Sequence, residues 1–342
     1  MMEPLLKVRD VSTALIGRKS VTQVLTSVDL DIYPGEIIGL VGESGSGKST
    51  LAAAILNLLQ PPQVLQSGSA RLALPNGEET DLLALSEREL RRLRWRHIAF
   101  IPQGSMNVLN PVLTVRRQMT DMLLQHGQSG EEALQKASDA LQLVNLPASV
   151  LDRYPHELSG GMLQRVVIAT AVTMAPSIIV ADEPTTALDV VTQRLILQEL
   201  MSIRDTLNTA IILISHDMGV MAQVADRLAV MYAGRLVELG PIHRVFDDAL
   251  HPYTQGLIAS IPQRHSERVK ALAGEAPTPW NYPGGCRFHP RCPFVMERCL
   301  HETPALNMHE PRHWAACYLH DEAAGEPQPV TFHESIGKGA HE

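Results

Sequence analysis

The chain has 342 residues, 45% of them hydrophobic and 19% charged, with a formal net charge of -8. That length suggests about two domains, and the composition excludes a disordered or fibrous chain. The acidic balance disfavours a nucleic-acid partner, because phosphate binding favours basic surfaces.

No apolar run reaches the roughly eighteen residues that a membrane-crossing helix needs. The opening residues, MMEPLLKVRD, lack a signal-peptide layout. The expectation is a cytosolic protein, or one peripheral on the cytosolic side of a membrane. Disulfides are disfavoured there, so a cluster of cysteines reads as metal-binding.

Along the chain, VLTSVDLDIYPGE alternates apolar and polar residues and ends in a turn, the pattern of a half-buried strand. EIIGLV is a short continuous apolar run, which predicts a buried strand, and KSTLAAAILNLL predicts a helix. Between them lies GESGSGKST, Gly42 to Thr50, which fits G-x-x-x-x-G-K-[ST]. In such a loop the glycines Gly42, Gly45 and Gly47 let backbone N–H groups converge on phosphate oxygens. Glu43, Ser44 and Ser46 complete the loop, and the next helix adds its positive N-terminal end. Lys48 would reach the β- and γ-phosphates, and the Ser49 hydroxyl, beside Thr50, would bind Mg²⁺.

Ser86 and Glu89 stand at capping-box spacing and start a charge-rich helix, SERELRRLRWRH, whose arginines suit a solvated face, lipid headgroups or a partner. IAFI reads as a strand, with Gln103 just beyond it. EEALQKASDALQLV and GMLQRVVIATAVTM carry helical periodicity. SIIVAD and TAIILIS are buried-strand runs, each followed by a helix-like stretch. Strands alternating with helices imply a parallel α/β sheet. SIIVADEP sets two carboxylates at the end of a buried strand, where open α/β sheets bind ligands. Asp182 would help hold Mg²⁺, and Glu183 would polarise the attacking water as general base. His216, in LISHD, joins the candidates because its strand is expected to end beside the phosphate site.

ELSGGMLQRVVIA, just upstream of that strand, resembles the signature motif of ABC ATPases. Taken in order, GESGSGKST, Gln103, LSGGM, VADEP, ALD and His216 resemble the ABC set over residues 5 to about 240. The resemblance implies a P-loop NTPase cassette with a RecA-like core, an antiparallel β subdomain and a helical signature subdomain. It implies ATP and Mg²⁺, with Gln103 also near the metal. It further implies a head-to-tail dimer in which Ser159, Gly160 and Gly161 contact ATP on the partner's P-loop, with Asp189 of the D-loop across the same interface. A Ser-Gly-Gly turn at a helix N-terminus is a second anion-binding device, which one γ-phosphate does not need from one chain.

DLLALSERELRRLRWRHIAFIPQGSMNVLNP, the methionine of LSGGM, ADEPTTALDV and HPYTQGLIASIP resemble the oligopeptide/dipeptide importer ATPases. That branch implies ATP hydrolysis coupled to solute uptake, of peptides or, in relatives, nickel or oligosaccharides. It implies a second ATPase subunit, two transmembrane permease subunits docked near the Q-loop, a solute-binding protein, and a place on the cytoplasmic face of the inner membrane. The alternative is a non-transport ABC ATPase acting on nucleic acid or ribosomes. Two positions depart from the family pattern. Leu15 stands where an aromatic usually stacks on adenine, and Gly104 and Ser105 follow Gln103 where many relatives have Asp-Pro.

Composition shifts near residue 250, so the expected division is an ATPase domain over 1–250, a C-terminal module over 251–322 and a flexible tail over 323–342. The module holds all four cysteines, as Cys286-x5-Cys292-x6-Cys299-x17-Cys317. Clustered thiols favour a four-thiolate metal site over unrelated free cysteines. The family resemblance points to a [4Fe-4S] cluster, whereas Zn²⁺, with His289 or His313, remains the alternative.

Overall fold

The computed structural model describes residues 3–18, 20–104, 108–261 and 272–321. Ser105 and the tail expected over 323–342 lie outside the described residues.

Two sheets organise the chain. β1 (Leu6–Ile16), β2 (Val21–Ile32), β4 (Gln63–Ala73) and β5 (Glu79–Asp81) form an antiparallel sheet in the order β2-β1-β4-β5. The larger sheet contains β3 (Ile37–Val41), β6 (Ile98–Ile101), β7 (Ile178–Asp182), β8 (Ala210–Ile214), β9 (Arg227–Tyr232) and β10 (Arg235–Pro241). β11 (Asn307–Glu310) and β12 (His313–Ala315) extend it, in the order β11-β12-β10-β9-β3-β8-β7-β6.

β3, β7 and β8 are buried along their whole length, which is why they read as continuous apolar runs. Their alternate residues feed two cores. Ile38 and Leu40 pack with Leu51 and Ile55, while Ile37 and Val41 face the opposite core. Helix α1 (Lys48–Ile55) follows β3 directly. α2 (Glu87–Leu93) begins at Ser86, whose backbone N–H and hydroxyl both donate to Glu89. α3 (Val115–Gln125), α4 (Gly130–Leu143) and α5 (Gly160–Val172) pack against one another. α6 (Val190–Leu207) and α7 (Met218–Val224) follow β7 and β8.

The large sheet is mixed rather than wholly parallel. β6, β7, β8, β3 and β9 run parallel, but β10, β12 and β11 are antiparallel. The β9–β10 turn has only two residues, Ala233 at φ 48° and Gly234 at φ 77°, the two-residue hairpin geometry. Ala-Gly lacks the Asn-Gly or Asp-Gly signal, so the hairpin is silent in the sequence.

The C-terminal residues lie on this sheet. α8 (Ile242–Asp247) and α9 (Pro252–Ala259) precede α10 (Glu297–His301), and β12 pairs with β10 through Glu238 and Ala315. Glu238, fully buried, accepts from the Leu250 N–H at 2.8 Å, the His251 N–H at 2.9 Å and His313 Nε2 at 2.8 Å. Removing this carboxylate orphans three buried donors. Glu238→Ala is expected to lower stability by about 3–5 kcal/mol. Chemical denaturation checks this, and an unshifted midpoint would refute it.

Candidate functional site

The loop after β3 is shaped by glycines. Gly42 has φ 148°, and a Cβ there would run into the Met231 carbonyl. Gly47 has φ 102° and caps α1, whose first turn carries no acidic residue. The helix N-terminus is therefore free to face an anion. Lys48 is almost buried and curls back along the loop, donating to the carbonyls of Gly42 at 2.7 Å and Glu43 at 3.0 Å. Burial pulls its ammonium pKa down, against the opposing pull of Glu183, Asp182 and Glu43. A bound triphosphate would replace those carbonyls as the charge partner.

Across from Lys48, the end of β7 carries the two carboxylates. Asp182 is 5% exposed, and its Oδ1 has no hydrogen-bond partner. Burial raises its pKa, while a hydrogen bond from Ser49 lowers it. An orphaned buried carboxylate oxygen beside a serine hydroxyl fits Mg²⁺. Ser49 and Asp182, with Gln103 close by, are the residues that would hold it.

Glu183 stands at φ 46°, an unusual conformation for a non-glycine residue. Its N–H donates to the Ile214 carbonyl at 3.0 Å, which fixes it against β8. Its carboxylate gathers Gln103 Nε2 at 3.0 Å, Thr186 Oγ1 at 2.8 Å and His216 Nδ1 at 3.2 Å. Burial pushes the Glu183 pKa up, but the bonds from Thr186 and His216 outweigh it and leave the group below its ordinary value. These contacts favour the ionised carboxylate, the form able to accept a proton.

Lys48, Ser49, Gln103, Glu183 and His216 line a cleft of about 510 Å³ that also takes in Ser44, Gly45, Leu15, Val24, Gln63 and Pro279. Leu15 therefore does face the cleft, with Pro279 of the C-terminal region as an apolar neighbour. Sequence reading missed Pro279 and Thr186. Thr186 stands in the TTALD stretch, but nothing in the local pattern links Pro279 to a loop more than two hundred residues away.

The signature turn is placed elsewhere. Ser159 caps α5, accepting from the Met162 N–H at 3.4 Å, and Gly160 and Gly161 form the first turn, which has no acidic residue. Asp189 caps α6, accepting from the N–H groups of Val191 and Thr192 at 3.1 and 3.0 Å. A Cβ on Gly161 would meet the Thr192 side chain at 2.8 Å, so the two caps adjoin. Neither is among the described residues lining the cleft.

The four cysteines are free and line one small cavity, walled by Phe288, Phe294, Met296 and Tyr318. Backbone N–H groups hydrogen-bond three of the sulfurs, each from two residues on: Phe288 to Cys286, Phe294 to Cys292 and Leu319 to Cys317. Burial pushes the Cys286 and Cys292 thiols up to about 11 and Cys317 up to about 12. Among the described residues, however, no group of three or more His, Cys, Asp or Glu is arranged to hold a metal ion.

A glycine-shaped loop at a helix start, a buried aspartate with an orphaned oxygen and an oriented glutamate together make a candidate site for nucleotide hydrolysis. Residues 25–186 match the family described as ABC transporter, and residues 237–299 match the oligopeptide/dipeptide transporter C-terminal region. The chain is 40% identical to the oligopeptide transport ATP-binding protein AppD of Bacillus subtilis, over 95% of this chain and 99% of that one. It is 43% identical to a putative peptide import ATP-binding protein of Brucella abortus, over 89% and 92%. It also resembles the dimeric post-hydrolysis structure of the ATP-binding cassette MJ0796 bound to ADP and Pi. The TM-score there is 0.60 and the identity 29%, over 69% of this chain and 98% of that one. The chain belongs to the ABC transporter ATP-binding proteins of the oligopeptide/dipeptide importer family, and it is an ATPase of that family. Among the described residues no helix is long and apolar enough to cross a membrane.

Proposed function

We propose that this chain energises import of peptides or related small solutes, as one of two ATPase subunits seated on permeases at the cytoplasmic face of the membrane. The names of its relatives support a peptide cargo. The observation that carries the assembly is the separation of the signature turn from the chain's own cleft. An anion-binding helix start set apart from its own chain's cleft suits a partner's nucleotide. Beside Asp189, Val190, Val191 and Leu195 are exposed, by 81%, 70% and 43%, an apolar patch suited to burial in a second ATPase subunit.

In this reading the P-loop N–H groups and Lys48 hold the phosphates, and Ser159, Gly160 and Gly161 of the second subunit close over the γ-phosphate. Ser49 and Asp182 would hold Mg²⁺, which would supply positive charge against the phosphates. Glu183 takes a proton from the attacking water, while His216, Thr186 and Gln103 aim its carboxylate. Closure on ATP and release after hydrolysis are two states of different nucleotide affinity, which is what a switch requires.

A groove of about 640 Å³ between α2 and α3, lined by Arg91, Arg92, Arg94, Trp95 and Arg96, supports permease contact on this side. Affinity purification of the tagged chain from solubilised membranes tests the assembly. Two permease proteins and a second ATPase should follow it. Recovery with ribosomes or nucleic acid instead would overturn the reading.

The cysteine cavity is proposed to hold a [4Fe-4S] cluster, with Zn²⁺ the competing occupant. Four cysteines lining one cavity, three with N–H groups facing sulfur, support thiolate ligation in an arrangement tighter than the one they hold here. Anaerobic purification should yield about four iron and four sulfide per chain, as a four-thiolate cluster requires. One zinc without iron would replace the cluster with a zinc site.

A further inference from the structure

The C-terminal region does more than border the nucleotide cleft; it holds the P-loop itself. Arg291, which directly precedes Cys292, binds the Glu43 carboxylate with both ends of its guanidinium, Nη1–Oε2 at 2.6 Å and Nη2–Oε1 at 3.0 Å. Its side chain is only 5% exposed. The guanidinium is fixed in turn, since Nε donates to the Ala273 carbonyl at 2.8 Å and Nη1 to the Tyr232 hydroxyl at 3.3 Å. The Glu43 backbone is held as well, because its N–H donates to the Tyr253 hydroxyl of α9 at 2.8 Å.

A second arginine acts on the other side of the loop at one remove. Arg287, next to Cys286, donates to the Ala233 carbonyl and, at 2.9 Å, to Thr26 Oγ1. The neighbouring Gly234 N–H donates to the Ser46 carbonyl at 2.9 Å. The loop is thus pinned at Glu43 and at Ser46 by contacts that trace back to residues 287 and 291.

A glycine-rich loop does not fix its own N–H directions. Ordering it before the nucleotide arrives lowers the cost of binding. Charge adds a second reason. Glu43 would be an anion beside a triphosphate, and Arg291 neutralises it. Lys48 also leans on the Glu43 carbonyl, so its direction follows the same clamp.

We propose that Arg291 is a positioning residue for nucleotide binding: through Glu43 it preorganises the P-loop and screens its carboxylate, coupling the cysteine-bearing region to the ATP site. The coupling rests on the arginine contacts and holds whatever the cysteines bind, so it goes beyond the function proposed above. Because coupling is reciprocal, bound nucleotide also steadies the C-terminal region.

The test is a double-mutant cycle on the full chain, read as the dissociation constant of a fluorescent ATP analogue and as kcat. Arg291→Ala should weaken binding roughly 3- to 100-fold, the range seen for coupled pairs. At saturating ATP, kcat should stay within about twofold of the parent rate, a change that falls inside ordinary additivity error for sites that do not touch. Arg291→Lys should fall between. In a Glu43→Gln background the loss from Arg291→Ala should shrink, because the carboxylate to be screened is gone. An equal loss in both backgrounds, or no loss in a folded variant, would overturn the proposal. Should Arg291→Ala not fold, hydrogen exchange on the unaltered protein decides. MgADP should slow exchange across residues 284–300, and unchanged exchange there would count against the coupling.

Discussion

Replacing Glu183 with Gln is expected to leave ATP binding intact and to slow hydrolysis by about 10²- to 10⁴-fold, the usual contribution of a positioned general base. The amide keeps the shape of the carboxylate and one oxygen for Thr186 or Gln103, but it cannot take a proton. The site makes this a clean test, because Glu183 is held by a backbone bond to Ile214 and three side-chain contacts rather than by the substrate. Single-turnover hydrolysis with excess protein isolates the chemical step. An unchanged rate would move the base to another residue, with His216 next in line.

Lys48→Ala has the other large expected effect, and it acts at binding. The lysine is nearly buried and already faces the loop carbonyls, so little reorganisation precedes its contact with phosphate. Two charge-assisted hydrogen bonds at about 1.5–3 kcal/mol each put the loss at about 3–6 kcal/mol, or on the order of 10²- to 10⁴-fold in affinity. Equilibrium binding of a fluorescent ATP analogue measures it. The two substitutions should separate cleanly: Lys48→Ala abolishes occupancy, whereas Glu183→Gln preserves occupancy and removes turnover.

Much of the site is legible in the sequence because its parts lie at ends of buried apolar runs. β3, β7 and β8 are continuous and apolar; Asp182 ends β7, Glu183 and His216 come within two residues of β7 and β8, and Lys48 stands across the glycine loop from β3. Their convergence then comes from sheet order, since β3 and β7 both flank β8. Other features have no local signal. The antiparallel β10 is joined by an Ala-Gly turn that resembles no standard hairpin dipeptide. The role of Arg291 depends on a contact across 248 positions. Glu238 is fully buried and binds three donors brought from residues 250, 251 and 313, which no local pattern announces. Pairings at such separations are set by tertiary packing, which periodicity and spacing do not encode.

The cysteines show the same division. Their grouping within one short stretch predicts a shared environment, and all four do line one cavity. What chemistry the cavity supports depends on the N–H groups two residues beyond the sulfurs, which only folded backbone supplies. Two of those cysteines are sequence neighbours of Arg291, which binds Glu43 of the P-loop, and of Arg287, which holds the Ala233 turn beside it, so the region's integrity bears on nucleotide affinity as well as on its own stability.

The most direct test of the central claim is solute accumulation by the purified complex in liposomes, with ATP supplied on the side of this chain and a loaded solute-binding protein on the other. Peptide should accumulate only with ATP and Mg²⁺, hydrolysis should rise with the loaded binding protein, and Glu183→Gln should stop both. Accumulation that persists with Glu183→Gln in every ATPase position would contradict the account.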